Sequence, residues 1–167
     1  GGIQVPQISN AEDVREVIKL AKFAPEGMRG ICCFVRAAGY SSIEKEKYFK
    51  EANNALIIIQ LEGEEAINNI DEILDVEGFD IVFIGPYDLS QSLGVPGEVD
   101  HPLVVKKMEQ IIGKCKEKGI IVGNFTDTKE NAAKWMKMGV RYVSYSVDIG
   151  IYYDACKNIL NKLNSIL

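Results

Sequence analysis

Two carboxylates follow successive apolar runs of this 167-residue sequence, at positions where parallel strands would end. Glu62 comes directly after the run at 56–61, and Asp88 lies in the Gly-Pro-Tyr-Asp-Leu-Ser motif at 85–90, after the run at 81–84. If the two runs are neighbouring strands of a parallel sheet, both side chains project from one edge and can share an ion. Two carboxylates that leave coordination positions open suit a hard divalent cation, Mg²⁺ or Mn²⁺, with Co²⁺ as a further candidate.

Gln60 adds an amide to this candidate site. It lies two residues before Glu62, so on a strand both side chains point to the same face, and Gln60 is a candidate ligand of substrate or of a metal-bound water. Zinc fits less well, because no cysteine pair has suitable spacing and the only histidine, His101, precedes Pro102 at a predicted helix start. A carboxylate just past a strand is also typical of a helix cap or a turn, and spacing alone leaves both interpretations open.

The elements that must position these residues alternate between strands and amphipathic helices. Strands are predicted at 3–8, 56–61, 81–85, 120–123 and 141–146, mostly as continuous hydrophobic runs typical of a buried parallel sheet. Repeated βα units predict a parallel α/β architecture, either an open doubly wound sheet or a (β/α) barrel. No glycine-rich nucleotide-binding fingerprint follows the first strand. The long connection at 23–53 is predicted to be a functional or interface excursion.

Several helix ends are marked by their residue types. Asn10 with Asp13 predicts the start of the first helix, while Gly119 and Gly139 predict the ends of two later ones. The final helix is predicted from residue 153 to the end of the sequence. Its apolar residues predicted to face the core are Ala155, Ile159, Leu163 and Ile166.

Composition narrows the partners and the compartment. Nineteen Lys and Arg against 24 Asp and Glu give a net charge of −5, and the basic residues are scattered, so neither nucleic acid nor an anionic membrane is an expected partner. The longest apolar run, 55–59, is too short to cross a bilayer, and the opening residues do not resemble a signal peptide. The 4 cysteines show no disulfide framework, which favours a reducing cytoplasm.

The stretch from Gln60-x-Glu62 through the Gly-Pro-Tyr-Asp-Leu-Ser motif resembles the HpcH/HpaI family of metal-dependent pyruvate aldolases. That family includes aldolases of 2-keto-3-deoxy sugar acids and of 2,4-dihydroxyheptenedioate. The segment 4–13 is similar to the family's fourth strand and its helix, and 24–30 is similar to its interface loop. The resemblance therefore extends over essentially the whole chain.

The resemblance implies a partial TIM (β/α)8 barrel, with residues 1–167 as a single domain that corresponds to strands four to eight and their helices. It implies Glu62 and Asp88 as ligands of the divalent metal, and Gln60 as support for bound pyruvate or a metal water. It also implies that the main-chain amides of Tyr87 and Asp88 hold the pyruvate carboxylate. Tyr87 departs from the smaller residue common in the family, and its ring is expected to narrow the site.

The implied reaction is a class II retro-aldol cleavage of a 2-keto-3-deoxy or 4-hydroxy-2-keto acid to pyruvate and an aldehyde. The expected ligands are keto acids such as pyruvate, oxaloacetate or a hydroxy-keto acid, and the expected assembly is a homo-oligomer that exchanges its last helices. The family's catalytic base and its keto-binding arginine fall outside this chain, so no catalytic residue is assigned, and the chain alone is expected to be nearly inactive. Two alternatives remain open: a citrate synthase or citryl lyase-like enzyme on this scaffold, and a non-catalytic half-barrel kept for assembly.

Overall fold

Five parallel strands form one curved sheet whose spatial order follows the sequence. The computed structural model describes residues 1–166. The strands are β1 (Gly2–Val5), β2 (Leu56–Leu61), β3 (Ile81–Ile84), β4 (Ile121–Thr126) and β5 (Tyr142–Tyr145). The sheet curls into a half-barrel, which confirms the predicted partial (β/α) barrel.

The predicted strands are all present, and two of their boundaries differ by more than one residue. β1 ends at Val5 instead of residue 8, because Pro6 has no N–H for the ladder and Gln7 has a left-handed backbone with φ 58°. β4 continues to Thr126, three residues beyond its predicted end.

Helices alternate with the strands along the chain, and most of them cover the outer face of the sheet. They are α1 (Ala11–Ala21), α2 (Lys45–Asn53), α3 (Glu64–Asn68), α4 (Ile70–Leu74), α5 (Pro86–Ser92), α6 (Pro102–Glu117), α7 (Lys129–Met138) and α8 (Asp148–Asn164). The predicted start of α1 is confirmed, since the Asn10 side chain accepts from the Asp13 N–H at 3.0 Å and the Asp13 carboxylate accepts from the Asn10 N–H. Gly119 and Gly139 lie at the ends of α6 and α7 with φ of 70° and 113°, as predicted.

The two faces of the sheet are covered differently. On the outer face, the main core joins alternate strand residues such as Ile59, Val82 and Val122 to the apolar stripes of the helices. On the inner face, the cluster around Ile58, Ile81 and Phe83 contains strand residues alone. Helices on one face and strand side chains on the other are the arrangement of a barrel wall, which decides against an open doubly wound sheet.

The long connection between α1 and β2 has a small core of its own. Phe23, Ala38 and Tyr48 are buried together, with the Phe23 and Tyr48 rings 5.7 Å apart. The buried Asn53 side chain accepts from the Phe23 N–H at 2.7 Å and donates to the Phe23 carbonyl at 3.0 Å. This excursion is therefore an ordered part of the fold.

The prediction for the last helix is wrong in its start and in its burial. α8 begins at Asp148, five residues earlier than predicted. The predicted core residues Ala155, Ile159, Leu163 and Ile166 are all exposed. The helical spacing of its apolar residues is real, but after β5 the helix leaves the sheet and its apolar side chains stay uncovered by the described chain. Among residues 1–166, the helices include none that is both long enough and apolar enough to span a membrane.

Candidate functional site

The Glu62 carboxylate is buried and held from two sides. Glu62 directly follows β2, and only 6% of its surface is exposed to solvent. Its Oε1 accepts the Gln7 N–H at 2.9 Å, and its Oε2 accepts from Nε2 of Gln60. Gln4 donates in turn to Oε1 of Gln60 at 2.6 Å, which fixes the orientation of the Gln60 amide. This chain of contacts confirms that Gln60 and Glu62 share the inner face of the sheet.

The register of the sheet explains how Gln4 reaches Gln60. Gln4 pairs with Ile58, so Gln60 is its diagonal neighbour on the next strand, within reach of a long side chain. Both glutamines interrupt otherwise apolar strands at inward-facing positions. The sequence did contain a signal for Gln4. It is the polar residue in an otherwise apolar β1, and it faces the same side of the sheet as Gln60 in β2.

Two non-glycine residues near these strand ends have a left-handed backbone. Gln7, two residues beyond β1, has φ 58°, and Ser146, directly after β5, has φ 54°. Each of them lines a cavity. Such conformations cost about 1–3 kcal/mol each and concentrate at functional sites. At Gln7 the strained backbone is what presents the N–H to Glu62. No sequence pattern marks Gln7 for this role, because the contact depends on main-chain geometry.

Gly85 allows the turn after β3 to approach the Glu62 carboxylate. A Cβ atom at this position would lie well inside the van der Waals distance of Glu62 Oε2 and 3.0 Å from Gln60 Nε2. Its φ of −92° is one that any residue can adopt, so the requirement for glycine comes from the close approach.

Asp88 lies in the first turn of α5, which starts where β3 ends. Gly85 is the N-cap, Pro86 follows it, and no side chain caps the helix. The first helical hydrogen bond runs from the Leu89 N–H to the Gly85 carbonyl at 3.0 Å, so the N–H groups of Tyr87 and Asp88 precede the helical ladder. The Asp88 side chain is exposed to the cavities at this edge.

Glu62 and Asp88 line one cavity of about 330 Å³, together with Gly63 and the segment 7–9. β2 and β3 are adjacent and parallel, with Leu61 opposite Ile84, which brings the residues after both strands to the same edge. The structure thus brings together the two carboxylates that the sequence analysis paired.

A larger cleft of about 570 Å³ adjoins this cavity and shares Asp88 with it. Gln4, Gln60 and Tyr87 line it near the carboxylates, and Phe125, Asp127, Ser144 and Ser146 line its far side. The Tyr87 hydroxyl donates to the Asp127 carboxylate. That hydrogen bond is the main cause that raises the pKa of Tyr87 above its ordinary value, with burial and the charge of Asp127 adding to it. Asp127 is a site residue that the sequence analysis missed.

The donor set at this edge fits a hard cation. Within residues 1–166 no three His, Cys, Asp or Glu side chains cluster as a complete metal site, so the chain itself offers the two carboxylates of Glu62 and Asp88. Each Glu62 oxygen accepts one hydrogen bond and keeps a second acceptor position free. His101 has a different role from the two carboxylates. It caps α6, where its Nδ1 accepts the Leu103 N–H at 3.3 Å. Two carboxylates with the remaining positions left to water or substrate oxygens suit Mg²⁺ or Mn²⁺.

A buried asparagine without a hydrogen-bond partner in the described chain lies on the opposite face of the sheet. Asn124 in β4 is 0% exposed between Ile84 and Val143 of the neighbouring strands, and neither amide atom has a partner within the described chain. We expect Asn124→Leu to raise the free energy of unfolding by about 1–3 kcal/mol, because it removes an unsatisfied buried amide at similar volume. Urea unfolding followed by circular dichroism measures this. A variant of equal or lower stability would mean that the amide is satisfied in solution, for example by a buried water.

The half-barrel with an acidic pair at the carboxyl ends of its strands defines a class: a (β/α)-barrel protein with an oxygen-donor site at the carboxyl edge of its sheet. The chain belongs to the HpcH/HpaI aldolase/citrate lyase family, whose sequence profile matches residues 1–155.

Curated relatives and solved structures agree with this membership. A 2-keto-3-deoxy-L-rhamnonate aldolase of Escherichia coli (strain K12) is 38% identical over 163 residues, which are 96% of this chain and 60% of that protein. An HpcH/HpaI aldolase/citrate lyase family protein from Burkholderia cenocepacia J2315 superposes with a TM-score of 0.90 at 28% identity, over 96% of this chain and 64% of that one. The citrate synthase SbnG superposes with a TM-score of 0.80 at 26% identity, over 98% of this chain and 63% of that one. The chain thus spans about 60% of the length of the curated relatives it matches.

Proposed function

We propose that this chain carries the metal site and the keto-acid site of a class II aldolase, a carbon–carbon lyase that releases pyruvate and an aldehyde from a 2-keto-3-deoxy or 4-hydroxy-2-keto acid. The observation that carries the proposal is the pair of carboxylates, Glu62 and Asp88, which line one cavity at the carboxyl edge of β2 and β3. Membership of the HpcH/HpaI family and the likeness to 2-keto-3-deoxy-L-rhamnonate aldolases support the reaction class.

In this proposal Glu62 and Asp88 hold the divalent cation, Mg²⁺ or Mn²⁺. Gln60 orients the Glu62 carboxylate through its amide N–H, and Gln4 keeps that amide in the required orientation. When bound, the cation supplies Lewis-acid chemistry next to the ketone oxygen of the substrate. The burial of Glu62 and its two hydrogen bonds keep one ligand in place before any cation arrives.

The keto-acid carboxylate is proposed to bind the main-chain amides of Tyr87 and Asp88. Both N–H groups precede the hydrogen-bond ladder of α5, and no side chain caps that helix. Backbone N–H groups at such a position are suitable donors to an anion. Placing the carboxylate here sets the ketone end of the molecule beside Asp88 and the cavity that it shares with Glu62.

The proton steps need a base, and the family resemblance assigns the catalytic base and the keto-binding arginine to no residue of this chain. We therefore expect residues 1–167 alone to bind metal and pyruvate but to cleave keto acids slowly or not at all. An assay for pyruvate release from 2-keto-3-deoxy acids checks this expectation.

A second candidate function is citrate formation or citryl cleavage on the same scaffold. The superposition on the citrate synthase SbnG supports this alternative, because that structure shares the fold over 98% of this chain at 26% identity. Acetyl-CoA-dependent formation of citrate from oxaloacetate would select this alternative over the aldolase.

Titration with Mn²⁺ tests the proposed site directly. We expect Glu62→Ala and Asp88→Ala each to weaken Mn²⁺ binding by about tenfold or more, since each removes one of two charged oxygen ligands. Electron paramagnetic resonance of free Mn²⁺ gives the dissociation constants without requiring catalysis. Glu46→Gln, an exposed acid on α2, is the control for a general change in charge. Binding curves that coincide for wild type and both alanine variants would refute the metal site.

A further inference from the structure

One wall of the larger cleft is formed by a tyrosine, a phenylalanine and an aspartate, and it runs from the carboxylates to the far side. Tyr87 is 45% exposed, and its ring centroid lies 6.0 Å from that of Phe125 in an edge-on arrangement. Its hydroxyl donates to Asp127, which follows β4. The edge-on contact with Phe125 and the hydrogen bond to Asp127 hold the ring across the space between α5 and the end of β4.

This wall carries only negative charge. Of the residues that line the cleft, Asp88 and Asp127 are the charged ones, and none is Lys, Arg or His. In the proposed function Asp88 is offset by the cation, whereas Asp127 has no cationic partner among these lining residues. Asp100 lies behind it, where it lines a narrow cavity with Tyr87 and Asp127 and accepts from the Asn131 amide at 3.0 Å. A ligand that extends along this wall therefore experiences a negative electrostatic potential.

We infer that Tyr87 and Asp127 form a specificity-determining pair, which admits keto acids with short, uncharged tails and disfavours those with a second carboxylate. The inference rests on the proposed function, because it assumes that the keto-acid end lies beside Asp88 and the amides of α5. From there the cleft runs along the Tyr87 ring toward Asp127, Ser144 and Ser146. The ring limits length and width, and the aspartate repels a terminal anion, since like charges across an interface exclude wrong partners.

A structural role alone would leave this selectivity untouched. The Tyr87 hydroxyl and Asp127 also connect α5 to the loop after β4, so their loss can loosen both segments. Loosening changes the affinity for all keto acids in the same direction. Only a charge filter changes the ratio between two ligands of equal length that differ in a terminal charge.

The test compares 2-oxopentanoate with 2-oxoglutarate, which have equal carbon number and differ in the terminal methyl or carboxylate. Isothermal titration calorimetry on the full chain at a fixed Mn²⁺ concentration gives both affinities, with pyruvate as the reference ligand. We expect wild type to bind 2-oxopentanoate about tenfold more tightly than 2-oxoglutarate, which corresponds to about 1.4 kcal/mol. Asp127→Asn should bring this ratio close to one. Tyr87→Ala should raise the affinity for 2-oxopentanoate relative to pyruvate, because it opens the wall while keeping the main-chain amide.

The control variant is Glu130→Gln, which removes a nearby exposed charge in the first turn of α7 without lining the cleft. It should leave the ratio at the wild-type value. If pyruvate binds but the ratio is the same in wild type and Asp127→Asn, the filter is refuted and the proposed function stands. If pyruvate fails to bind wild type with Mn²⁺ present, the proposed keto-acid site on this chain fails, and the filter fails with it.

Discussion

Gly85→Ala is expected to disrupt the metal site although the substitution adds only one methyl group. The new Cβ would overlap Glu62 Oε2 and lie 3.0 Å from Gln60 Nε2, so the carboxylate, the amide or the turn after β3 must move. Any of these shifts breaks the contacts that orient Glu62. We expect Mn²⁺ affinity to fall by about 10- to 100-fold, the cost typical of losing the groups that orient a ligand. The free energy of unfolding should fall by about 1–3 kcal/mol, because the added methyl group overpacks the site.

Gly30→Ala is the matched control for this substitution. Gly30 is an exposed residue of the connection between α1 and β2, it is not among the glycines with a left-handed backbone, and a Cβ there would meet nothing within 4 Å. Mn²⁺ titration and urea unfolding of the two variants separate a general effect of glycine replacement from the specific overlap at Gly85. Equal Mn²⁺ affinities in Gly85→Ala and wild type would show that the contact between the turn and the carboxylate is unimportant for binding.

The sheet and the acidic pair could be predicted because they depend on local sequence and on strand order. Continuous apolar runs such as 56–59 and 81–84 predict buried parallel strands, and the order of βα units predicts which strand ends are neighbours. Once β2 and β3 are adjacent, Glu62 and Asp88 must meet at one edge. Because side chains alternate between the two faces along a strand, Gln60 also faces the same side as Glu62.

The remaining parts of the site depend on geometry that a sequence does not display. Gln7 contributes a main-chain N–H from a left-handed conformation, which no side-chain type announces. The role of Gly85 comes from the position of a residue 23 places earlier in the chain, and Asp127 matters because the Tyr87 ring reaches it across the cleft. Each of these contacts is long-range, so local periodicity contains no signal for it.

The wrong prediction for α8 has a different physical origin, which leads to a prediction about assembly. Helical spacing places Ala155, Ile159 and Leu163 on one stripe. An apolar stripe predicts that this face of the helix is buried, but it does not specify which surface covers it. Ile159 is 60% exposed and Leu163 55% exposed in the described chain. A surface with this much exposed apolar area is typical of an interface. As the family resemblance implies, we propose that the stripe packs against a second copy of the chain.

Charges on this stripe should therefore separate the copies. We expect the double variant Ile159→Asp/Leu163→Asp to sediment as a monomer at concentrations where wild type is an oligomer, because a buried unpaired carboxylate costs far more than the apolar contact it replaces. The control is Asn161→Asp/Asn164→Asp, which adds the same two charges on the other side of α8 and should leave the oligomer intact. Analytical ultracentrifugation measures the masses, and circular dichroism checks that both variants keep their helix content. A monomeric wild type, or an oligomer that survives the stripe charges, would refute the packing of α8 against a second copy.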